Sequence, residues 1–204
     1  MLLAVVACGT RGNGEPGRET REMGELHGID VGGVFVLRAE RADDRLVELE
    51  GDANLLPHVQ LTVDGGVLHA RTDTNVSPQL DLVLHVRAPE IREVELSGAA
   101  RGEIAGLAGD SFELEVSGAS TAKVAGAIDR FELEVSGASD VDAAALVARD
   151  VKVEVDGASE ANVTANVSLS AEASGASEIR WGGDATQVSR EASGASSIER
   201  RAGS

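Results

Sequence analysis

The chain has 204 residues, with 18 Lys and Arg against 35 Asp and Glu, a net charge of −17. That balance argues against a phosphate-backbone binder, so no nucleic-acid partner is expected. Three Phe, one Trp, no Tyr and one Cys argue against base-stacking or sugar-stacking platforms and exclude both an internal disulfide and a cysteine zinc site.

Taken in chain order, residues 1–8 come first. Leu2-Leu3-Ala4-Val5-Val6-Ala7 is apolar and ends at Cys8. The run is far too short to span a bilayer and matches the end of a secretory h-region. Val5-Val6-Ala7-Cys8 is similar to a bacterial lipobox, which makes Cys8 a candidate lipidation site and a lipid anchor to a membrane a candidate contact. No basic residue precedes the run, a departure from that pattern. The alternative is an apolar strand with a buried Cys8. Residues 9–23 are polar and Gly-rich and read as a flexible linker.

From 24 to 96 the chain is β-rich without a clean repeat. Strand-like runs are Val34–Leu37, Leu46–Leu49, Val59–Val63, Val67–Ala70 and Leu80–Val86, and Asp64-Gly65-Gly66 is a turn signal between two of them. The segment reads as irregular coils that grade into the regular ones.

Residues 97–202 hold that regular repeat. Ser97-Gly98-Ala99-Ala100 is followed by Ser117-Gly118-Ala119-Ser120, Ser136-Gly137-Ala138-Ser139, Asp156-Gly157-Ala158-Ser159, Ser174-Gly175-Ala176-Ser177 and Ser193-Gly194-Ala195-Ser196. The glycines Gly98, Gly118, Gly137, Gly157, Gly175 and Gly194 are 20, 19, 20, 18 and 19 residues apart. Each is preceded by period-two alternation, as in Phe112-Glu113-Leu114-Glu115-Val116, the pattern of a strand with one buried face. Short strands at this period predict an all-β, single-stranded parallel β-helix, with the six glycines as structural turns. Right-handed winding is expected because parallel crossovers are overwhelmingly right-handed, although the coil length admits either hand. A solenoid also explains how an apolar fraction of 42%, much of it Ala, packs with so few aromatics. One domain over 24–202 would hold roughly nine or ten coils, each rising about 4.8 Å.

At this point the chain resembles the putative autotransporter adhesin, head GIN domain family, over roughly residues 26–200. The resemblance rests on Gly28-Ile29-Asp30-Val31, Gly51-Asp52-Ala53-Asn54-Leu55-Leu56, Val63-Asp64-Gly65-Gly66-Val67-Leu68 and the Ser-Gly-Ala-Ser coils. It implies a β-helical body, a cell-envelope location (a lipoprotein facing periplasm or exterior, or a secreted protein) and an adhesin role. It carries over no catalytic residue and no cofactor.

Three residues before every repeat glycine stands a glutamate: Glu95, Glu115, Glu134, Glu154, Glu172 and Glu191. Stacked in register, like charges cost about 0.9 kcal/mol per adjacent pair before screening by salt. Either a bound cation such as Ca²⁺ offsets this, or Lys and Arg of nearby columns do. The Gly-Gly-x-Gly-x-Asp repeat of calcium rolls is absent, which favours the solvated face, and no metal site is assigned. The Ser columns, Ser120 to Ser196 after the glycines and Ser97 to Ser193 before them, read as turn-bonding hydroxyls rather than nucleophiles. Gly109-Asp110-Ser111 has no histidine downstream, and His27, His58, His69 and His85 all precede the repeats at no metal-ligand spacing. Trp181 falls at a core-facing phase and reads as core or cap filling. The reading is of a non-enzymatic envelope protein whose repetitive ladders meet an envelope or extracellular protein or polymer. A self-assembling envelope module is the alternative. A carbohydrate-active β-helix enzyme is disfavoured by the lack of aromatics.

Overall fold

The computed structural model describes residues 9–201, so Cys8 and the lipobox-like segment lie outside the described residues. Chain order gives β1 (Thr10–Arg11), β2 (Pro16–Thr20), β3 (Gly28–Gly33), β4 (Phe35–Arg41) and β5 (Leu46–Asp52). A 3₁₀ turn at Leu56–His58 leads to β6 (Val59–Asp64), β7 (Val67–Thr72), β8 (Val76–Ser77) and β9 (Leu82–Ala88). Then come β10 (Glu93–Gly98) and the long strands β11 (Arg101–Val116), β12 (Thr121–Val135), β13 (Asp140–Val155) and β14 (Glu160–Ala173). β15 (Glu178–Gly182), β16 (Gln187–Ala192) and β17 (Ser197–Arg200) close the series.

These strands form a parallel β-solenoid. Each long strand bends around a coil, and its two halves stack on the equivalent halves of the next in parallel register. The first face stacks β3, β10, the second halves of β11 to β14, and β16. The second face stacks β4, the first halves of β11 to β14, β15 and β17. Five Gly-to-Gly coils run from Gly98 to Gly194, in line with a solenoid of about five turns.

The expectation of nine or ten coils is therefore corrected, and the reason lies in residues 42–92. They make an excursion between β4 and β10, within which β7 and β9 stack parallel on β3 and β4 as a further layer. β5 pairs antiparallel with β9, and β6 with β7 around the Asp64-Gly65-Gly66 turn, where Gly65 and Gly66 have φ of +57° and +87°. The excursion separates two adjacent layers: Ser97 and Gly98 sit directly on Gly32 and Gly33, 98 − 33 = 65 residues apart. Gly33 is thus the first of the glycine corners.

The linker expected at 9–23 is also corrected. β1 pairs with β8, and β2 runs antiparallel along β5. Edge strands need backbone partners rather than apolar side chains, so a polar Gly-rich segment fills this place. Asp52 fastens the approach. It is fully buried and accepts backbone N–H bonds from Gly14 (2.6 Å), Gln79 (2.8 Å) and Leu80 (3.0 Å).

The core is a set of inward columns. Phe112, Phe131, Val151 and Leu169 form one, and Leu114, Leu133, Val153 and Ala171 the next. The columns shrink toward Ala at the C-terminal coils. Arg190 follows Ala171 in its column, and every residue of β16 is exposed. Trp181 is 5% exposed, with the Arg200 guanidinium 4.9 Å from its ring centroid, so it closes the thinning end of the core.

The corners explain the repeat. Gly98, Gly118, Gly137, Gly157, Gly175 and Gly194 have φ between +75° and +83°, a region that L side chains rarely occupy. The alanine after each corner donates its N–H to the corner glycine of the coil before, as Ala138 does to Gly118 at 2.8 Å. Ser120, Ser139, Ser159 and Ser177 are buried behind the corners. Their hydroxyls bond backbone rather than each other: Ser139 Oγ donates to the Ser136 carbonyl (3.0 Å) and accepts from the Ser120 N–H (3.4 Å).

Candidate functional site

Register places all six predicted glutamates in one file: Glu95 beside Glu115, then Glu134, Glu154, Glu172 and Glu191. Inward Leu and Val flank Glu95, Glu115, Glu134 and Glu154, and inward Ala171 and Ala173 flank Glu172, so these carboxylates face outward, while Glu191 lies on a strand that is exposed throughout. The file is longer than the repeat shows. Asp30 is the register partner of Glu95 and stands three residues before Gly33, in the same phase as the glutamates. It was missed because the first two layers are far apart in sequence.

The upper end of this acid column is neutralised. Arg71 Nη2 donates to both carboxylate oxygens of Asp30 at 2.7 Å, and His69 Nδ1 lies 2.8 Å from Oδ2. No sequence spacing tied His69 to a partner; β7 lies in register on β3 and sets it directly beside Asp30. Lower down, Lys152 reaches Glu154 at 2.9 Å and Glu132 at 2.6 Å, and these bonds raise its pKa. Among the described residues, Glu115, Glu134, Glu172 and Glu191 have no ion pair within 4.0 Å. Neutralisation by neighbouring columns thus reaches the Asp30 end and the Glu154 rung, not the whole file.

A groove of about 1060 Å³ runs beside the column. One bank is the file Glu113, Glu132, Lys152, Ser170 and Ser189, and the other is Ser111, Arg130, Asp150, Ser168 and Gln187.

The second face is charged differently. One outward row crosses it in register: Glu48, His85, Arg38, Glu103, Lys123, Asp142, Asn162, Arg180 and Glu199. Its signs alternate, and Arg38 Nε is 3.7 Å from Glu103. The same solenoid therefore accommodates alternation, so the single sign of the acid column is not a by-product of acidic composition. At the head of this row Glu48, Glu50 and His85 bring ligand-type atoms within 4.8 Å of one another. The Arg18 guanidinium pairs with both carboxylates there, at 3.4 Å from Glu48 and closer to Glu50.

The column carries a pH signature. Burial pushes the Glu95 carboxyl up, and Asp30 and Glu115 push it further, against Arg71 and His69. Burial likewise raises Glu113, helped by Glu132, Glu93, Glu134 and Glu115. A raised carboxylate is one whose charge costs the fold. That cost is present above the raised value and disappears as pH falls toward the ordinary 4.5. Asp52 has the opposite sign. Burial pushes it up, but the three amide bonds outweigh burial and hold it below the ordinary 3.8. Its contribution is present above 3.8 and lost as pH falls through the lowered value. Melting temperature is therefore expected to rise from neutral pH toward about 4.5 and to drop in more acid solution. A steady decline from pH 7 downward would contradict this balance.

Fold and column together define a β-solenoid whose two faces display register-locked side-chain files, one of a single sign and one alternating. The chain belongs to the family described as putative auto-transporter adhesin, head GIN domain, whose model matches residues 25–185. Solved structures share the architecture. A putative adhesin from Bacteroides fragilis superposes with a TM-score of 0.79 at 18% identity, covering 95% of this chain and 100% of that one. A putative adhesin from Parabacteroides merdae gives 0.61 at 19%, covering 94% and 98%. A putative lipid-binding protein from Parabacteroides distasonis gives 0.60 at 19%, again covering 94% and 98%. No curated protein sequence matches. At these identities the structural likeness establishes the fold.

Proposed function

We propose that the chain is a non-enzymatic adhesin-like protein of the cell envelope, whose working surface is the acid column with its adjoining groove. The partner is an extended, repetitive, cationic one, such as a Lys- and Arg-rich protein segment or polymer of the envelope or exterior. The observation that carries this reading is the single sign of the column: six glutamates and Asp30 stand in one file. Evenly spaced carboxylates suit a ligand that repeats along the same axis, and attraction of the column for an oppositely charged partner speeds encounter. The family membership supports the surface role. No helix of the described residues is long and apolar enough to cross a membrane. Cys8 is the candidate for a lipid anchor.

The test uses an oligolysine peptide titrated into the full chain by calorimetry at low salt. Binding is expected to weaken steeply as salt rises, and about tenfold or more when Glu115, Glu134 and Glu172 are changed together to Gln. Equal binding by that triple variant, with its fold intact by circular dichroism, would remove the column from the function.

A further inference from the structure

The alternating row on the second face has a symmetry that the acid column lacks. A row reversed end for end and laid on its own copy meets itself at every level. Placing the reversal point between Glu103 and Lys123 sets each of these against the other in the second copy. The next level out sets Arg38 against Asp142, and the level beyond sets His85 against Asn162, a pair that can hydrogen-bond. One further level sets Glu48 against Arg180. The order of all eight follows from the strand registers. Moving the reversal point onto Lys123 instead places Lys123 on Lys123 and Glu103 on Asp142, so the match is particular to one position.

We propose that this face is a self-association surface that docks a second copy of the chain across a two-fold axis. The axis lies in the plane of contact, parallel to the strands, between the levels of Glu103 and Lys123. Such an axis reverses the solenoid direction while keeping each file on itself, which is the isologous arrangement most homodimers use. Because the interface is isologous, every complementary contact occurs twice.

Three observations favour a second copy as the occupant. The charge pattern is complementary to its own reverse rather than to a uniform surface. Arg38 and Glu103 are 54% and 65% exposed, and Lys123 and Asp142 are exposed, so the central charges are available to another chain. In the neighbouring file Ala125 and Ala145 stand side by side, and their short side chains let two sheets approach closely there. The acid column cannot serve in the same way, because any reversal lays carboxylate on carboxylate. Self-association through the second face leaves the first face open, and it stands or falls separately from the role proposed for the acid column.

The test is sedimentation of the full chain at low ionic strength, from about 1 µM to about 1 mM. The wild type is expected to show a monomer–dimer equilibrium that weakens as salt rises. Lys123→Glu places like charges on Glu103 of the second copy twice over, and the dimer is expected to weaken about tenfold. The double variant Glu103→Lys with Lys123→Glu restores opposite charges at that level and is expected to recover the dimer. Circular dichroism melts of both variants confirm that the fold is unchanged. A chain monomeric at the highest concentration, a dimer indifferent to Lys123→Glu, or a failure of the double variant to recover it would each overturn the proposal.

Discussion

Replacing Gly137 by Val is expected to cost about 2–5 kcal/mol of stability, the sum of a left-handed backbone forced on an L residue and a side chain pressed into a packed neighbour. Gly137 has φ of +81°, and a Cβ there would lie 2.5 Å from the Gly118 carbonyl oxygen. That oxygen accepts the Ala138 N–H, so it cannot retreat without loosening the joint between coils. Gly65 provides the comparison. Its φ is +57°, but a Cβ there meets nothing within 4 Å, so Gly65→Ala is expected to cost only about 1–2 kcal/mol. Urea denaturation of the two variants separates backbone strain from collision. Equal losses would mean that the stacked corners contribute only their dihedral angles.

Phe131→Ala is the second large effect, expected at about 3–5 kcal/mol. Phe131 is 2% exposed and stacks on Phe112, with ring centroids 6.0 Å apart and planes 13° from parallel. These rings fill the widest part of a core whose equivalent positions further along are Val151 and Leu169. The Gly118 and Gly137 corners at either end of this coil limit how far the walls can close on the cavity. A loss under about 1 kcal/mol would show that the interior collapses freely, contrary to the close packing of the columns.

What could be read from the sequence depended on spacing. The coils after Gly98 announce themselves because each corner demands glycine and each strand alternates, and the six glutamates come with that phase. Asp30 obeys the same rule relative to Gly33, yet the 65-residue separation of Gly33 from Gly98 hides it: local periodicity cannot show that the chain departs and returns to the next layer. His69 and Arg71 reach Asp30 only through that long-range pairing. Asp52 lies in a segment that carried the family resemblance, but a buried aspartate has no sequence signature for the amides that it gathers from residues 14, 79 and 80. Residues 10–20 mislead for a different reason. Their composition reports side chains, while their place is set by backbone bonds to β8 and β5. The alternating row was invisible because a third of it, Glu48, His85 and Arg38, comes from strands outside the repeat.

The seam between Gly33 and Gly98 sets an order of assembly. Layers after it each need only the coil just before, so they can be added one at a time as the chain emerges, roughly every twenty residues. The first layers differ: β3 and β4 carry β7 and β9 in parallel register on one side and receive β10 and β11 on the other, with β5 and β6 added antiparallel. Seating Gly98 on Gly33 closes a separation of 65 residues, an entropic cost that none of the later coils bears.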